Sequence, residues 1–533
     1  MSKKIKQNYI KFVDKINSKN MGILVSVLFV ISLIPVLYVG FYNYASGDDY
    51  WYGIYTYQGW LSGGLMGALK GSIRMVIEFY YNWQGTWFTM FLFTLSPHHF
   101  AENGYIITIF ISLGLLIGSF AYLAHYYLIK RLSFTKGATA VIVCLISYLS
   151  IQYIPRTTSG LYWFNGIMHY SVPFFLAVLA VVHSHKFIEY KRKKDYLILF
   201  VSFLLLGGGS YLAPLAASLT VALIMIVQLE VNEFDLKNKK IQFRYDWRNL
   251  WILLAFMAEL IGLAISFMAP GNNVRGGEEF GADLKWALQC IYYAIDRGIY
   301  LGEDFFLKNA VTTVVYIILA IIIWEQLWKS GKEKVRFRFP LLFVIYMNGV
   351  YWATYTPEIY SRSDVSGGVR NTYFHIFLIV TFVNMIYVHG WGQEVLTKYW
   401  KKKAIAKGCS FESIREKSLF YGKNYKVAIA VPAIALNCIL LIYAASVSEV
   451  ITTNEYCMEC ISNGSLEKYL EVRREQHEIL STSEEKNVTV PEMEAPYPLL
   501  HMLMSDSEMG GQNINRAKYY NKDSIKAELI RDN

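Results

Sequence analysis

Long apolar stretches alternate with short polar connections along most of this chain. A helix that crosses a bilayer needs about 20 mostly apolar residues, and about eleven stretches meet or approach that length. They are residues 21–41, 104–128, 138–154, 170–185, 196–206, 213–229, 250–268, 311–328, 340–355, 373–388 and 427–445. A further stretch, Trp87 to Leu95, is apolar but short and ends in Ser96-Pro97-His98-His99. Residues 64–82 show a different period. Leu65, Met66, Leu69, Ile73, Val76, Ile77 and Tyr80 make an apolar stripe, with Lys70, Arg74, Glu78 and Asn82 opposite. That spacing predicts a helix lying on the membrane, or else packed on protein. After residue 446 the pattern turns polar, with a helix expected over Leu466–Leu480 and irregular chain over Pro491–Leu500.

The expected fold is therefore an all-α integral membrane protein. It has a polytopic domain over 1–446, a first loop over 42–103 that carries interfacial helices, and a small C-terminal domain over 447–533. Composition agrees: 54% of the 533 residues are hydrophobic, 17% are charged, and mean hydropathy is +0.29. The charge of +10 needs no nucleic-acid partner, because the lysines and arginines gather in alternate short connections. By the positive-inside rule those connections are cytoplasmic, which places the N-terminus inside and the C-terminal segment outside the cell membrane. The signs agree throughout only if residues 84–96 are re-entrant rather than spanning. The 6 cysteines form no metal pattern, and Cys457-Met-Glu-Cys460 reads as two ordinary thiols. No internal repeat supports a transporter built from inverted halves.

This topology gathers the chemistry on one face. Asp48 and Asp49 follow the first span directly, in Ser46-Gly47-Asp48-Asp49-Tyr50-Trp51-Tyr52. Adjacent carboxylates at an apolar boundary repel each other, so their retention there suggests a general base or a cation site. A solvated turn is the plain alternative. The same face receives Arg156, Asn165, His169, Arg275, Glu358, Arg362 and Arg370. Arginines on the side away from the basic connections need a reason, and a planar guanidinium suits phosphate. An acid and several arginines around one cleft would suit transfer of a sugar from a lipid phosphate, with the acid as base and the arginines steadying the leaving group. Headgroup anchoring is the alternative for each arginine. His98-His99 lacks a positioned carboxylate for a metal site. No cofactor is required, and a divalent cation at Asp48/Asp49 stays open.

The chain resembles the GT-C superfamily of polyprenyl-phosphate-dependent glycosyltransferases, and within it a group of bacterial multi-pass proteins. The resemblance rests on the first-loop acids Asp48 and Asp49, the loop helix 64–82, the number of spans and the terminal domain. Four pieces carry the closer likeness: Ser46-Gly-Asp-Asp-Tyr50, Tyr162-Trp-Phe-Asn-Gly166, Ala269-Pro-Gly-Asn272 with Arg275, and Asn513-Ile-Asn-Arg-Ala-Lys-Tyr-Tyr520. The resemblance implies an inverting glycosyltransferase whose base is a first-loop aspartate. Its donor would be an undecaprenyl-phosphate sugar, and its acceptor a cell-wall polysaccharide, a teichoic acid or a lipid-linked glycan. The doubled aspartate departs from the family pattern and leaves either residue as the base. Rival expectations are a flippase for lipid-linked glycans, for which Glu259 is the main mid-span charge, a polysaccharide polymerase or ligase, and a non-enzymatic scaffold.

Overall fold

A computed structural model describes residues 7–11, 18–227, 230–235, 240–244, 246–276, 284–330, 336–361 and 367–530. Among these, seven helices are long and apolar enough to cross a membrane, the architecture of an all-α multi-pass membrane protein. They are Ser18–Gly40, Glu102–Arg131, Phe164–Tyr190, Trp247–Phe267, Ala310–Lys329, Gly367–Lys407 and Gly422–Val447. The four remaining expected spans are also helical but shorter: Lys136–Gln152, Lys193–Leu206, Leu212–Val227 and Pro340–Ala353. Among the described residues strand is confined to two small pairs, one antiparallel (Glu230–Asp235 with Lys240–Arg244) and one parallel (Asn487–Glu492 with Ser524–Leu529).

The helices sort their connections into two ends. At one end Thr135 N–H donates to Gln326 Oε1 (3.0 Å), Thr135 Oγ1 to Ser18 Oγ (3.1 Å) and Phe337 N–H to Glu394 Oε1 (3.1 Å). These contacts draw together the lysine-rich connections, hereafter the basic end. At the opposite end Arg156 meets Asn371, Thr158 meets Pro498, and Phe88 N–H donates to Gly208 O (3.0 Å). The alternation of charge along the sequence thus has a spatial counterpart.

The first loop is a folded unit. Helix Asp48–Asn82 is broken at Gly63 and Gly64, and Gly64 has φ +56° and ψ −144°, a conformation that L side chains avoid. Its two halves run back antiparallel. Thr56 Oγ1 meets Ser72 Oγ at 3.0 Å, Tyr55 OH donates to Glu78 Oε2 at 2.8 Å, and Arg74 lies over the Tyr55 ring at 3.9 Å. A Cβ on Gly67 would strike the facing backbone of Gly59. Ala68, Gly71, Ser72, Met75 and Phe79 face inward, while Leu65 is 75% exposed and Ile73 50%. The apolar stripe seen in the sequence therefore faces away from protein, as a membrane-lying helix requires. Helix Trp87–Phe93 has only seven residues, about 10 Å of rise, too short to cross a bilayer.

Two expectations need revision. The connection left between the expected spans 250–268 and 311–328, for which no element was expected from the sequence, contains a 24-residue helix, Leu284–Leu307. It buries Cys290, Ala294 and Gly298 and exposes Leu284, Leu288, Ile291 and Ile299. Pro491–Leu500 was expected to be irregular, yet its start belongs to strand Asn487–Glu492. The expected tail helix is Ser465–Thr482, with Leu466, Tyr469 and Val472 buried. The tail folds back on the first loop, sharing a core in which Val488, Val490, Ala517 and Ile525 pack with Tyr50, Tyr52 and Phe79.

Candidate functional site

Asp48 and Asp49 open the first-loop helix, where unpaired N–H groups and the helix dipole favour carboxylates. The preceding Gly47 has φ +57°, and a Cβ there would also strike Met502. The two aspartates have different surroundings. Asp49 is fully buried, its Oδ2 accepting from Ser46 N–H (2.9 Å) and from Tyr105 OH (2.7 Å). Its Oδ1 has no partner. Burial raises its carboxyl to about 7, against the pull of those two hydrogen bonds and with a push from Asp48. Tyr105 OH also accepts from Phe164 N–H (3.0 Å), so Asp49 ties the first loop to the Tyr162–Gly166 piece.

Asp48 is only partly buried and has no hydrogen-bond partner among the described residues. Burial raises its carboxyl, and the charge of Arg275 lowers it. Arg275 is delivered by the Ala269–Asn272 piece, which docks on residues 83–85. Gly85 N–H donates to Asn272 Oδ1 (3.1 Å), and Asn272 Nδ2 donates back to Ser266 O (2.8 Å). The guanidinium then donates to Gln84 Oε1 and stands 5.1 Å from the Trp83 ring centre. Its charge acts on Asp48, Tyr52, His169 and Tyr211, so all four face the same region.

His169 belongs to this region, with Nδ1 2.9 Å from Thr89 Oγ1 and its ring against Phe93 and Tyr170. Asn165 is buried nearby, in a segment packed on the first-loop helix, and neither atom of its amide has a partner. Asp48, His169 and Arg275 thus share one region, and Asp49 and Asn165 are buried in the packing behind it.

The other sequence candidates stand apart. Glu358 accepts from Tyr373 OH; burial raises its carboxyl, and Arg297 and Arg370 oppose that. No charge effect links this group to Asp48. The Arg156 backbone is clamped by Asn371, through N–H to Oδ1 (2.8 Å) and Nδ2 to O (2.9 Å). Its side chain is exposed and its charge reaches Tyr456. Arg362 lies outside the described residues. Among the described residues the candidate arginines do not line a single cleft: Arg275 acts by its charge on Asp48, and Glu358 stands with Arg297 and Arg370 in a separate group. His98 and His99 are buried against Tyr44, Tyr50 and Tyr519, and burial lowers both. Among the described residues no three His, Cys, Asp or Glu side chains group as metal ligands.

Several supporting residues carried no sequence signal. Arg473 is buried with Glu492, whose Oε1 also takes His501 Nε2 (3.0 Å) and Gln476 Nε2 (3.2 Å). Burial raises Glu492, but the His501 hydrogen bond and the charges of Arg473 and Arg516 hold it well below the usual range. His501 Nδ1 lies 3.1 Å from Ser46 Oγ, and Met502 N–H donates to the same hydroxyl (2.8 Å). The tail thereby holds the residue that caps Asp49. The Asn513–Tyr520 piece packs alongside, with Arg516 4.5 Å from the Tyr50 ring centre and Tyr519 stacked on Tyr57.

Compared with models of known protein families and with curated proteins, the chain matches none.

Proposed function

We propose that this chain is a membrane-embedded, inverting glycosyltransferase that moves a sugar from a polyprenyl-phosphate donor to a cell-surface glycan. The observation that carries the proposal is the pairing at the end opposite the basic connections. A half-buried, unpartnered Asp48 carboxylate there feels the charge of Arg275. In the proposed reaction Asp48 takes the proton of an acceptor hydroxyl, and the oxygen attacks the anomeric carbon from the side away from the phosphate. The anomeric C–O bond breaks, its electron pair leaves on the phosphate oxygen, and Arg275 steadies that charge. His169 and Asn165 supply hydrogen bonds to sugar hydroxyls, while Asp49 holds the helix start rather than moving protons. The proposal includes GT-C-like architecture, about eleven spans, an inside N-terminus and an outside C-terminal domain.

An in vitro assay with lipid-linked sugar donors tests it. Full transfer by the Asp48→Ala, Asp49→Ala double variant would reject the base. A flippase has one observation in its favour: Glu259 is buried within a long apolar helix and accepts from Ser218 Oγ at 2.6 Å. Loss of lipid-linked glycan translocation in Glu259→Gln proteoliposomes, with translocation intact in the aspartate double variant, would favour that reading instead.

A further inference from the structure

A cavity of about 430 Å³ lies within the helix bundle. Ala216, Ala217, Val178, Met347, Ile379 and Val383 are among its walls, and the lining is almost wholly apolar. Packed interiors hold few voids larger than a water molecule, and an empty one forfeits dispersion contacts along its whole lining. Water finds no partners on such walls. Hydrocarbon does not need partners.

The charged residues and the histidine of the lining gather at the basic end. Arg131, His185 and Arg336 stand there, and Val227, which ends its helix and also lines the cavity, is 65% exposed. His185 Nε2 is buried without a partner. Arg131 is already paired with Glu189 at 2.8 Å. Arg336 is exposed and has no carboxylate partner among the described residues.

We infer that this cavity is a binding site for one anionic phospholipid, with acyl chain inside and phosphate at Arg336 and His185. An anionic headgroup suits a rim where, among the described residues, the Arg336 guanidinium has no carboxylate partner, set among lysine-rich connections. The volume falls in the range of about 300–1,000 Å³ that suits a compact ligand, and a polyprenyl chain of dozens of carbons would overrun it. The site also opens at the end away from Asp48, where a donor lipid could not present its phosphate to that carboxylate. The inference does not depend on the transfer reaction.

The test is native mass spectrometry of the full chain, stripped of lipid and then offered phosphatidylglycerol, phosphatidylcholine or undecaprenyl phosphate in bicelles. The wild type retains one phosphatidylglycerol per chain in preference to the other two. Ala217→Phe fills the cavity and lowers that retention at least about tenfold. Arg336→Gln removes the preference over phosphatidylcholine and leaves the cavity intact, which keeps the test decisive should Ala217→Phe fail to fold. Equal retention of the two phospholipids by the wild type, preferential retention of undecaprenyl phosphate, or an unchanged preference in Arg336→Gln would each overturn the inference.

Discussion

Asp49→Asn isolates the cost of burying a carboxylate at the start of the first-loop helix. The group moves from an ordinary value of 3.8 to about 7 on folding, chiefly through burial. A folded value above the unfolded one means that the native state holds its proton longer. Stability is then full below pH 4 and declines as pH rises towards 7. At about 1.36 kcal/mol per pKa unit, the decline amounts to roughly 4 kcal/mol. Asparagine removes it and keeps the local geometry, since its carbonyl can still accept from Ser46 N–H and Tyr105 OH. Its amide falls where Oδ1 has no partner, a cost of about 1–3 kcal/mol. The protonated acid carries a similar burden, because its O–H points to the same place. The two proteins should therefore match near pH 4, and the variant should be the more stable above pH 7. Thermal unfolding in nanodiscs between pH 4 and 8, read as the difference between the proteins, cancels the other titrating groups. Parallel curves, or a wild type that gains on the variant with rising pH, would refute the argument.

Asp48→Asn should lower the transfer rate by about 10²–10⁴, the range for loss of a general base, while Asp49→Asn retains most activity when assayed with the same donor. Arg275→Ala should slow transfer and move the acid limb of the pH–rate profile upward, because Arg275 now lowers the Asp48 carboxyl; a Lys at this position should rescue charge but not planar donation. Glu492→Gln leaves buried Arg473 without its counter-charge and should destabilise the tail by about 3–5 kcal/mol, detected as faster proteolysis after residue 447. Gly64→Ala meets no atom within 4 Å, so any loss is backbone strain of about 1–3 kcal/mol, read from hydrogen exchange across the first loop.

The parts of this fold that were legible in the sequence are those set by bulk transfer and charge. Apolar runs of span length became helices, and the lysine-rich connections met at one end through contacts such as Thr135 with Gln326. The exposed apolar stripe of residues 65–80 was legible because its period is 3.6 residues. Helix Leu284–Leu307 was missed for the converse reason. Asp296, Arg297, Glu303 and Asp304 dilute its mean hydropathy, although its apolar face recurs with helical spacing. The candidate site was half legible. Asp48 and Arg275 lie more than two hundred residues apart, and contacts such as those of Asn272 with Gly85 and Arg275 with Gln84 join them. Arg156 and Arg370 lie at the same end of the helices as Arg275 without acting on Asp48, a distinction that sidedness cannot make. Nor could sequence assign His501 to Ser46, since that contact crosses 455 residues.

The adjacency of Asp48 and Asp49 looked at first like two charges competing for one role. At a helix start it is the opposite. Successive residues on an α-helix project about 100° apart, so neighbouring side chains cannot share a face. Asp49 points into the core shared with the tail and Tyr105, and Asp48 is left on the side of Arg275. The inner acid holds the helix start through Ser46, which the tail grips through His501 and Met502. The outer acid is then presented by a turn it does not itself hold. On this account the inner acid acts on the chemistry only through position, and moving the pair on by one residue would put Asp48 in the buried place and Asp49 in that of Tyr50. A single residue inserted after Gly47 should thus cost far more activity than substitution of Asp49 alone.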